Sequence, residues 1–410
     1  MAQQIHYGSS GVFTSMILII NSGSSSIKMA VIDMPSESLL AEGMAERLGE
    51  PGASLSWHVA GDTERLSLPG ADHHVAMEQM LASLFGRIDK TNILAVGHRV
   101  VHGAERFIAP TPLNDAVIAE IEALSHLAPL HNPANVLGIR AAREHLPGIA
   151  HVAVFDTAFH HAMPRRASLY AVPYHWYIEY GVRRYGFHGT SHHYVAREAA
   201  SLLGREFADC RLLTAHLGNG CSAAAIADGV SVDTTMGMTP LEGLVMGTRS
   251  GDVDPGLHDF IARASGKSLA EITDVLNRQS GLLGLSGRSN DMRTLLEAAE
   301  AGDEMAALAV DIFCYRLAKS LAGLAVALGR VDAIVFTGGI GEHASEIRAK
   351  TVQQLTMFGV ALDTERNELH GRQSNGFITM SGATLPVLVI ATNEEAMIAR
   401  YVYGVICPEE

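Results

Sequence analysis

The run INSGSSSIK at residues 20–28 places Asn21, Gly23 and a cluster of serines directly before Lys28. Backbone N–H groups and hydroxyls of so small a loop can close on an oxyanion, and Lys28 adds one positive charge just beyond, so the chemistry on offer is phosphate binding. An ordinary serine-rich hairpin would use the same residues. The flanks are apolar at residues 17–20 and alternating at residues 27–32, where Ile27, Met29 and Val31 interleave with Lys28, Ala30 and Ile32. That pattern predicts strand, loop, strand rather than strand, loop, helix. The P-loop spacing GxxxxGK[ST] is absent, because Gly266-Lys267-Ser268 has Ile261 where the first glycine would stand, so a Walker-type NTPase is disfavoured.

A second run, LLTAHLGNGCSAAAIADG at residues 212–229, lies over the first with a constant offset. Gly218 falls on Gly23, Ala225 on Ala30 and Asp228 on Asp33, with His216 where Asn21 stands. An internal repeat of this kind implies two domains of one fold, each offering a phosphate loop to a shared cleft; a chance likeness of two hairpins would require no duplication. Residues 218–223 and 339–344 also fit GxGxxA. The first set opens a strand-like run and fails as a dinucleotide motif. The second follows the apolar residues 333–336 and precedes ASEIRAKTVQQL, so Gly339 to His343 reads as a helix N-terminus facing a nucleotide.

Other candidates sit where strands end. Arg99 and His102 follow an apolar run beside Gly97 and Gly103, a place for chemistry or for a surface salt bridge. His131 and Asn132 stand between two prolines, where a rigid histidine holds either a ligand or its own loop. Asp156-Thr157 ends the strand predicted at residues 151–155, aiming a carboxylate or capping the next turn. Around His188, Thr190 or Ser191 is positioned to cap a helix running through Ala200. Arg249, and Asp291 with Arg293, lie in Gly/Ser/Asp-rich loops, and several such arginines in an acidic chain point to anion handling. Glu394-Glu395 orient Mg²⁺ or simply favour the start of a terminal helix that packs back on the first domain.

Composition bounds these readings. With 410 residues, 48% of them hydrophobic, the chain can bury a large core and divide into two domains, and its formal charge of −14 argues against nonspecific nucleic-acid binding. Four scattered cysteines form no zinc pattern and suit a reducing cytoplasm. The pairs His73-His74, His160-His161 and His192-His193 make no HExxH and read as surface or hydrogen-bonded core histidines. Residues 1–15 lack a basic start and a long apolar segment, so they read as an extension before Met16, not a secretory signal. The apolar run 305–328, interrupted by Asp311, Arg316 and Lys319, predicts a buried helix ended by Gly329 rather than a membrane span. A further helix is predicted over 114–127, with Asn114 as a cap. Residues 35–90 read as strands and loops at a domain edge.

Together INSGSSSIK, GHRVVHG, LAPLHNP, VFDTAFH, YGFHGTSH, HLGNG, PLEGLVMGTRSG, SNDMR, FTGGIGE and ATNEE, in this order, resemble the acetate kinase family from Met16 to about Tyr403. The resemblance implies an α/β fold of two duplicated actin-like (ribonuclease H-like) domains around a nucleotide cleft, in a homodimer. Domain I would span 16–156 with a returning helix at 395–410, and domain II 157–394. The implied reaction is reversible, Mg²⁺-dependent transfer from ATP to acetate giving acetyl phosphate and ADP, with Mn²⁺ able to replace Mg²⁺. By resemblance, Asn21 and Glu394 are magnesium positions and Lys28 an ATP contact. Arg99 binds the substrate carboxylate, with His131 beside it, and Val101, Leu130, Phe187 and Pro240 form the methyl pocket. Asp156 is the catalytic acid of the family, and His188 and Arg249 stabilise the transition state. His216, Leu217, Gly218, Asn219 and Gly220, then Asp291, Met292 and Arg293, then Gly339, Ile340, Gly341, Glu342 and His343 are the nucleotide-binding runs. Departures are the residues before Met16, and Cys221, Ser250 and Gly338 beside motifs. Since a carboxylate is ionised at pH 7, no general base is needed, and Asp156 is better suited to holding metal or orienting an arginine than to removing a proton. Propionate or butyrate kinase is the nearest alternative; an Hsp70-like or actin-like binding protein would need a further domain or polymer surface.

Overall fold

The computed structural model describes residues 16–34, 36–59 and 62–408, so the predicted extension at 1–15 lies outside the described residues. The chain forms two compact units, one running to Ala158 and resumed from Asn393, the other Phe159–Thr392. Each is built on one mixed sheet.

In the first unit the strands are β1 (Met16–Ser22), β2 (Ser26–Asp33), β3 (Ser38–Glu46), β4 (Ser54–Val59), β5 (Asp62–Ser67), β6 (Ile93–Val100), β7 (Thr111–Pro112) and β8 (Ala150–Phe155), in the spatial order β5-β4-β3-β2-β1-β6-β8-β7. β1 pairs antiparallel with β2 and parallel with β6, which is parallel to β8. Alternate residues of β1 serve two cores, as a strand buried on both faces requires. Leu18 and Ile20 join Ala76, Met77, Met80 and Leu84 of the helix His73–Phe85, while Ile17 and Ile19 meet Ile398, Ala399 and Val402 of the helix Glu394–Ile406. The terminal helix thus packs back on the first unit. Gly97 on β6 lets it come close: a Cβ there would stand 2.8 Å from Val402 Cγ2 and 2.9 Å from Ile398 Cγ2.

The second unit carries β9 (Arg211–Leu217), β10 (Cys221–Ala227), β11 (Val230–Thr234), β12 (Ala333–Thr337) and β13 (Val387–Val389), ordered β11-β10-β9-β12-β13. β9 is antiparallel to β10 and parallel to β12, which is parallel to β13. This is the order and sense of β3-β2-β1-β6-β8, so the fold is duplicated. The repeat is not quite at constant offset. The last pair of the first hairpin is Ser22 with Ile27 and that of the second is Leu217 with Cys221, so the second turn is one residue shorter. Beyond the turn Ala224 and not Ala225 answers Ala30, because Ala30 pairs with Ile19 and Ala224 with Thr214. One face of this sheet packs on Val195, Ala196 and Ala199 of the helix Gly189–Leu202. The helix Glu304–Leu328, capped by Asp303 and ended at Gly329, packs against β9, β10 and β11.

Local expectations fare unevenly. Asn114 caps a helix over Asp115–Ala123, its side chain accepting from Val117 N, and a 3₁₀ turn Leu124–His126 completes the predicted stretch. Within 35–90, besides β3, β4 and β5, the helix His73–Phe85 forms under an Asp72 cap. The predicted cap by Thr190 or Ser191 does not form: both lie inside the helix Gly189–Leu202, and His188 occupies the cap position at φ 57. No helix among the described residues is long and apolar enough to cross a membrane.

Inserting methyls where Gly97 faces the terminal helix overpacks that contact, and the Gly97→Val variant is expected to lose about 1–3 kcal/mol in urea denaturation. His98 and His151 are buried with ring nitrogens 2.8 Å apart. Burial, with His151 and Arg143 nearby, holds His98 well below its ordinary 6.5, and burial pushes His151 down to about 4. The unfolded chain therefore takes up protons below pH 6.5 that the folded one refuses, so unfolding free energy falls as pH drops from 6.5 toward 4. Denaturation at pH 7.5 and pH 5 should record this loss, reduced in His98→Gln.

Candidate active site

In the first unit the parallel strands β1, β6 and β8 bring their carboxyl ends to one edge, the usual place for ligands in such sheets. Asn21 is near the end of β1, Arg99 lies within β6 rather than after it, and Asp156 directly follows β8. The Arg99 guanidinium donates from Nε to Asp156 Oδ1 at 2.9 Å and from Nη2 to Oδ2 at 2.7 Å, with Glu394 Oε2 3.8 Å from Nε. Burial works against the Arg99 charge, but the Asp156 and Glu394 carboxylates outweigh it and raise its pKa. Glu394, in the first turn of the terminal helix, is raised by burial and by Asp156, partly opposed by Arg99. Lys28 on β2 is held by Glu42 at 2.8 Å and Glu395 at 2.7 Å.

Two asparagines with no role legible in the sequence fasten the loop after β6. Asn132 accepts from His102 N and donates to His102 O, while Asn135 accepts from Val101 N and donates to Ser22 O at 2.7 Å. Both belong to the helix Asn132–His145, whose cap position is His131. Val101 is buried and Leu130 is 46% exposed.

In the second unit the turn between β9 and β10 is Gly218-Asn219-Gly220, closed by Gly218 N donating to Gly220 O at 3.1 Å. His188 holds a left-handed backbone (φ 57, ψ 27), a conformation that costs a non-glycine residue about 1 kcal/mol or more. Its ring stacks on His216 with centroids 4.3 Å apart, and its Nδ1 lies 2.9 Å from Ser222 Oγ. Arg249 donates from Nη1 to Pro240 O at 3.1 Å and touches Met246 Sδ. Among the described residues no carboxylate pairs with it, and burial lowers its pKa. A Cβ on Gly220 would stand 3.4 Å from Arg249 Nη1 and 3.6 Å from His188 Nε2, so this glycine keeps open a space faced by both groups.

The remaining candidates of this unit surround the turn unequally. Asn219 O accepts from Gly247 N, and Asn219 Oδ1 accepts from Asn290 Nδ2 at 3.0 Å, which ties the turn to the loop before Asp291. Asp291 caps the helix Met292–Glu300 by accepting from Arg293 N; Met292 is buried and the Arg293 side chain is largely exposed. Gly339 to His343 lie in a helix of six residues, Gly338–His343, followed after Ala344 by Ser345–Gln353. Glu342 Oε1 accepts from Gly338 N and Thr392 N, and the buried Arg348 donates to Gly341 O and Glu342 O. Leu217 and Phe187 are buried and Pro240 half-buried. Val101, Leu130 and His131 belong to the first unit, Phe187 and Pro240 to the second.

Two sheets of one strand order, each opening on a glycine hairpin, define the duplicated actin-like (ribonuclease H-like) class. Residues 16–400 match the model of the acetokinase family. The chain is 54% identical over 383 residues to an acetate kinase of Deinococcus radiodurans, covering 93% of this chain and 96% of that protein. It is 52% identical over 383 residues to one of Pseudomonas aeruginosa, covering 93% and 97%. Among solved structures, acetate kinase of Porphyromonas gingivalis superposes with TM-score 0.88 at 43% identity, covering 94% of this chain and 98% of that one. A propionate kinase of Francisella tularensis gives 0.90 at 42%, with 94% and 98% covered. The chain belongs to the acetokinase family.

Proposed function

We propose that the protein reversibly transfers the γ-phosphoryl group of ATP to acetate, giving acetyl phosphate and ADP. The observation that carries this reading is Arg249, a half-buried guanidinium without an acid partner among the described residues, beside His188 and a glycine turn. A cation left unanswered in such a place is suited to an anion supplied from outside. An oxygen of the ionised acetate attacks the γ-phosphorus as the bond to the β–γ bridging oxygen breaks, and no proton need move. The difficulty is repulsion between an anion and a polyanion, so catalysis rests on placing positive charge where negative charge gathers.

On this reading Arg99, fixed by Asp156, receives the acetate carboxylate, with His131 nearby and Val101, Leu130, Phe187 and Pro240 around the methyl group. Arg249 and His188 stabilise the transferring group. Lys28, residues 216–220, Asp291 to Arg293 and Gly339 to His343 serve the nucleotide. Mg²⁺, or Mn²⁺ in its place, would neutralise phosphate charge when bound. Asn21 and Glu394 would hold it, and the donor set fits: hard oxygens of an amide and carboxylates, Asp156 adding its own, suit a cation that takes few protein ligands and completes its shell with phosphate and water. No group of three or more His, Cys, Asp or Glu able to form a full cage occurs among the described residues. Asp156 orients Arg99 and abstracts nothing.

The protein works as a homodimer in the cytoplasm on the same reading. Its four cysteines carry no disulfide, which suits a reducing compartment. The helix Tyr174–Tyr180 buries none of its residues and exposes Trp176 by 42%, Ile178 by 64% and Tyr180 by 64%, an aromatic surface suited to a second copy. Likeness to a propionate kinase supports a second substrate, since one methylene alters pocket binding by only about 1–3 kcal/mol.

Trapping acyl phosphate with hydroxylamine, using ATP with acetate, propionate or butyrate, tests the reaction; acetate should give the highest kcat/KM, and no hydroxamate with any acid would end the proposal. Arg249→Ala should lower kcat by roughly 10³-fold or more; a loss under about tenfold would remove Arg249 from its role. The double variant Trp176→Glu, Ile178→Glu should sediment as a monomer where the parent sediments as a dimer.

A further inference from the structure

Behind His188 lies a chain of buried polar side chains that the proposed chemistry does not use directly. Thr214 Oγ1 is 2.7 Å from His192 Nδ1, His192 Nε2 is 2.7 Å from Ser222 Oγ, and Ser222 Oγ is 2.9 Å from His188 Nδ1. Thr214, His192 and Ser222 are all fully buried. Distances alone leave the direction of donation open, but satisfaction of buried donors closes it. Among the described residues Thr214 Oγ1 has no hydrogen-bond partner other than His192, and Ser222 Oγ has only the two imidazoles.

Were His192 to donate from Nδ1, the threonine proton would be a buried donor without an acceptor, the costly arrangement. Run the other way, every donor is satisfied. Thr214 O–H donates to His192 Nδ1, His192 Nε2–H to Ser222 Oγ, and Ser222 O–H to His188 Nδ1. Burial, together with His160 and His216, holds the pKa of His192 well below its ordinary value, so this ring carries a single proton and passes the direction on.

We infer that Thr214, His192 and Ser222 are positioning residues that fix His188 in the Nε2–H tautomer, making it a neutral hydrogen-bond donor to the transferring phosphoryl group. Its Cε1–Nε2 edge faces the open side of Gly220, as Arg249 Nη1 does: a Cβ there would stand 3.6 Å from Nε2 and 3.4 Å from Nη1. Charge is then supplied by Arg249 and direction by His188. The second half of this inference rests on the phosphoryl-transfer reading; the tautomer does not.

The test separates the two. In the full chain labelled with ¹⁵N-histidine, His188 is identified by its loss in His188→Gln, and long-range ¹H–¹⁵N correlation at neutral pH should place its proton on Nε2 with Nδ1 bare. Thr214→Val keeps the side-chain volume but removes the hydroxyl; it should mix the His188 tautomers and lower kcat about three- to tenfold, the range of one ordinary hydrogen bond, with KM for ATP and acetate within about twofold. Thr214→Ser keeps the hydroxyl and should restore both signals, which a packing role would not explain. A proton on His188 Nδ1 in the parent protein, or parental tautomer and kcat in Thr214→Val, overturns the inference. Parental kcat in His188→Gln overturns the phosphoryl-transfer reading instead.

Discussion

Arg99 is a guanidinium set into a sheet, an enclosed charge that needs partners, and here acids answer it. Asp156 does so with both carboxylate oxygens and Glu394 adds a third from further away. The three residues come from β6, from the end of β8 and from the first turn of the terminal helix, so one ion cluster joins segments far apart in sequence. Gly97, two residues before Arg99, admits the same helix against the sheet. The fold of the first unit and the aim of its cation are therefore one constraint. Arg249 is the counterpart in the opposite condition, a half-buried cation whose hydrogen-bond partners among the described residues are a carbonyl and a thioether. One arginine is satisfied and oriented, the other is left wanting an anion, and the proposed chemistry uses that difference.

Duplication explains how two hairpins of one design came to carry different chemistry. Asn21 pairs with Lys28 at the open end of the first, and His216 pairs with Ser222 at the same place in the second. A lysine position in one copy is a serine position in the other. The lysine is held by Glu42 and Glu395, whereas the serine faces inward and bonds to two histidines.

The two glycine hairpins, the strand pattern around them, the long helix before Gly329 and the strand-end acid Asp156 were legible because each is a local signal: alternation, a small-residue turn, a cap. What could not be read was set by distant partners. Ser222 is unmarked in the sequence because a constant offset pairs Lys28 with Ala223, whereas in the ladder the second turn is one residue shorter. Asn135 and Thr214 look like ordinary polar residues until the backbone or ring they bond is in place. The helix His73–Phe85 lies in a stretch rich in polar and turn residues, where its Asp72 cap is an isolated signal. His188 takes the cap position in place of a hydroxyl, and Ser191 turns instead to His216.

In the proposed reaction the acceptor arrives already ionised, so that the protein supplies positive charge and orientation and removes no proton. The solvent deuterium isotope effect on single-turnover phosphoryl transfer from ATP to acetate addresses this directly, because it is sensitive to a proton in flight and indifferent to fixed charge. An effect near unity is expected across the neutral pH range. A substantial normal effect that disappears in Asp156→Asn would contradict it and make Asp156 a base.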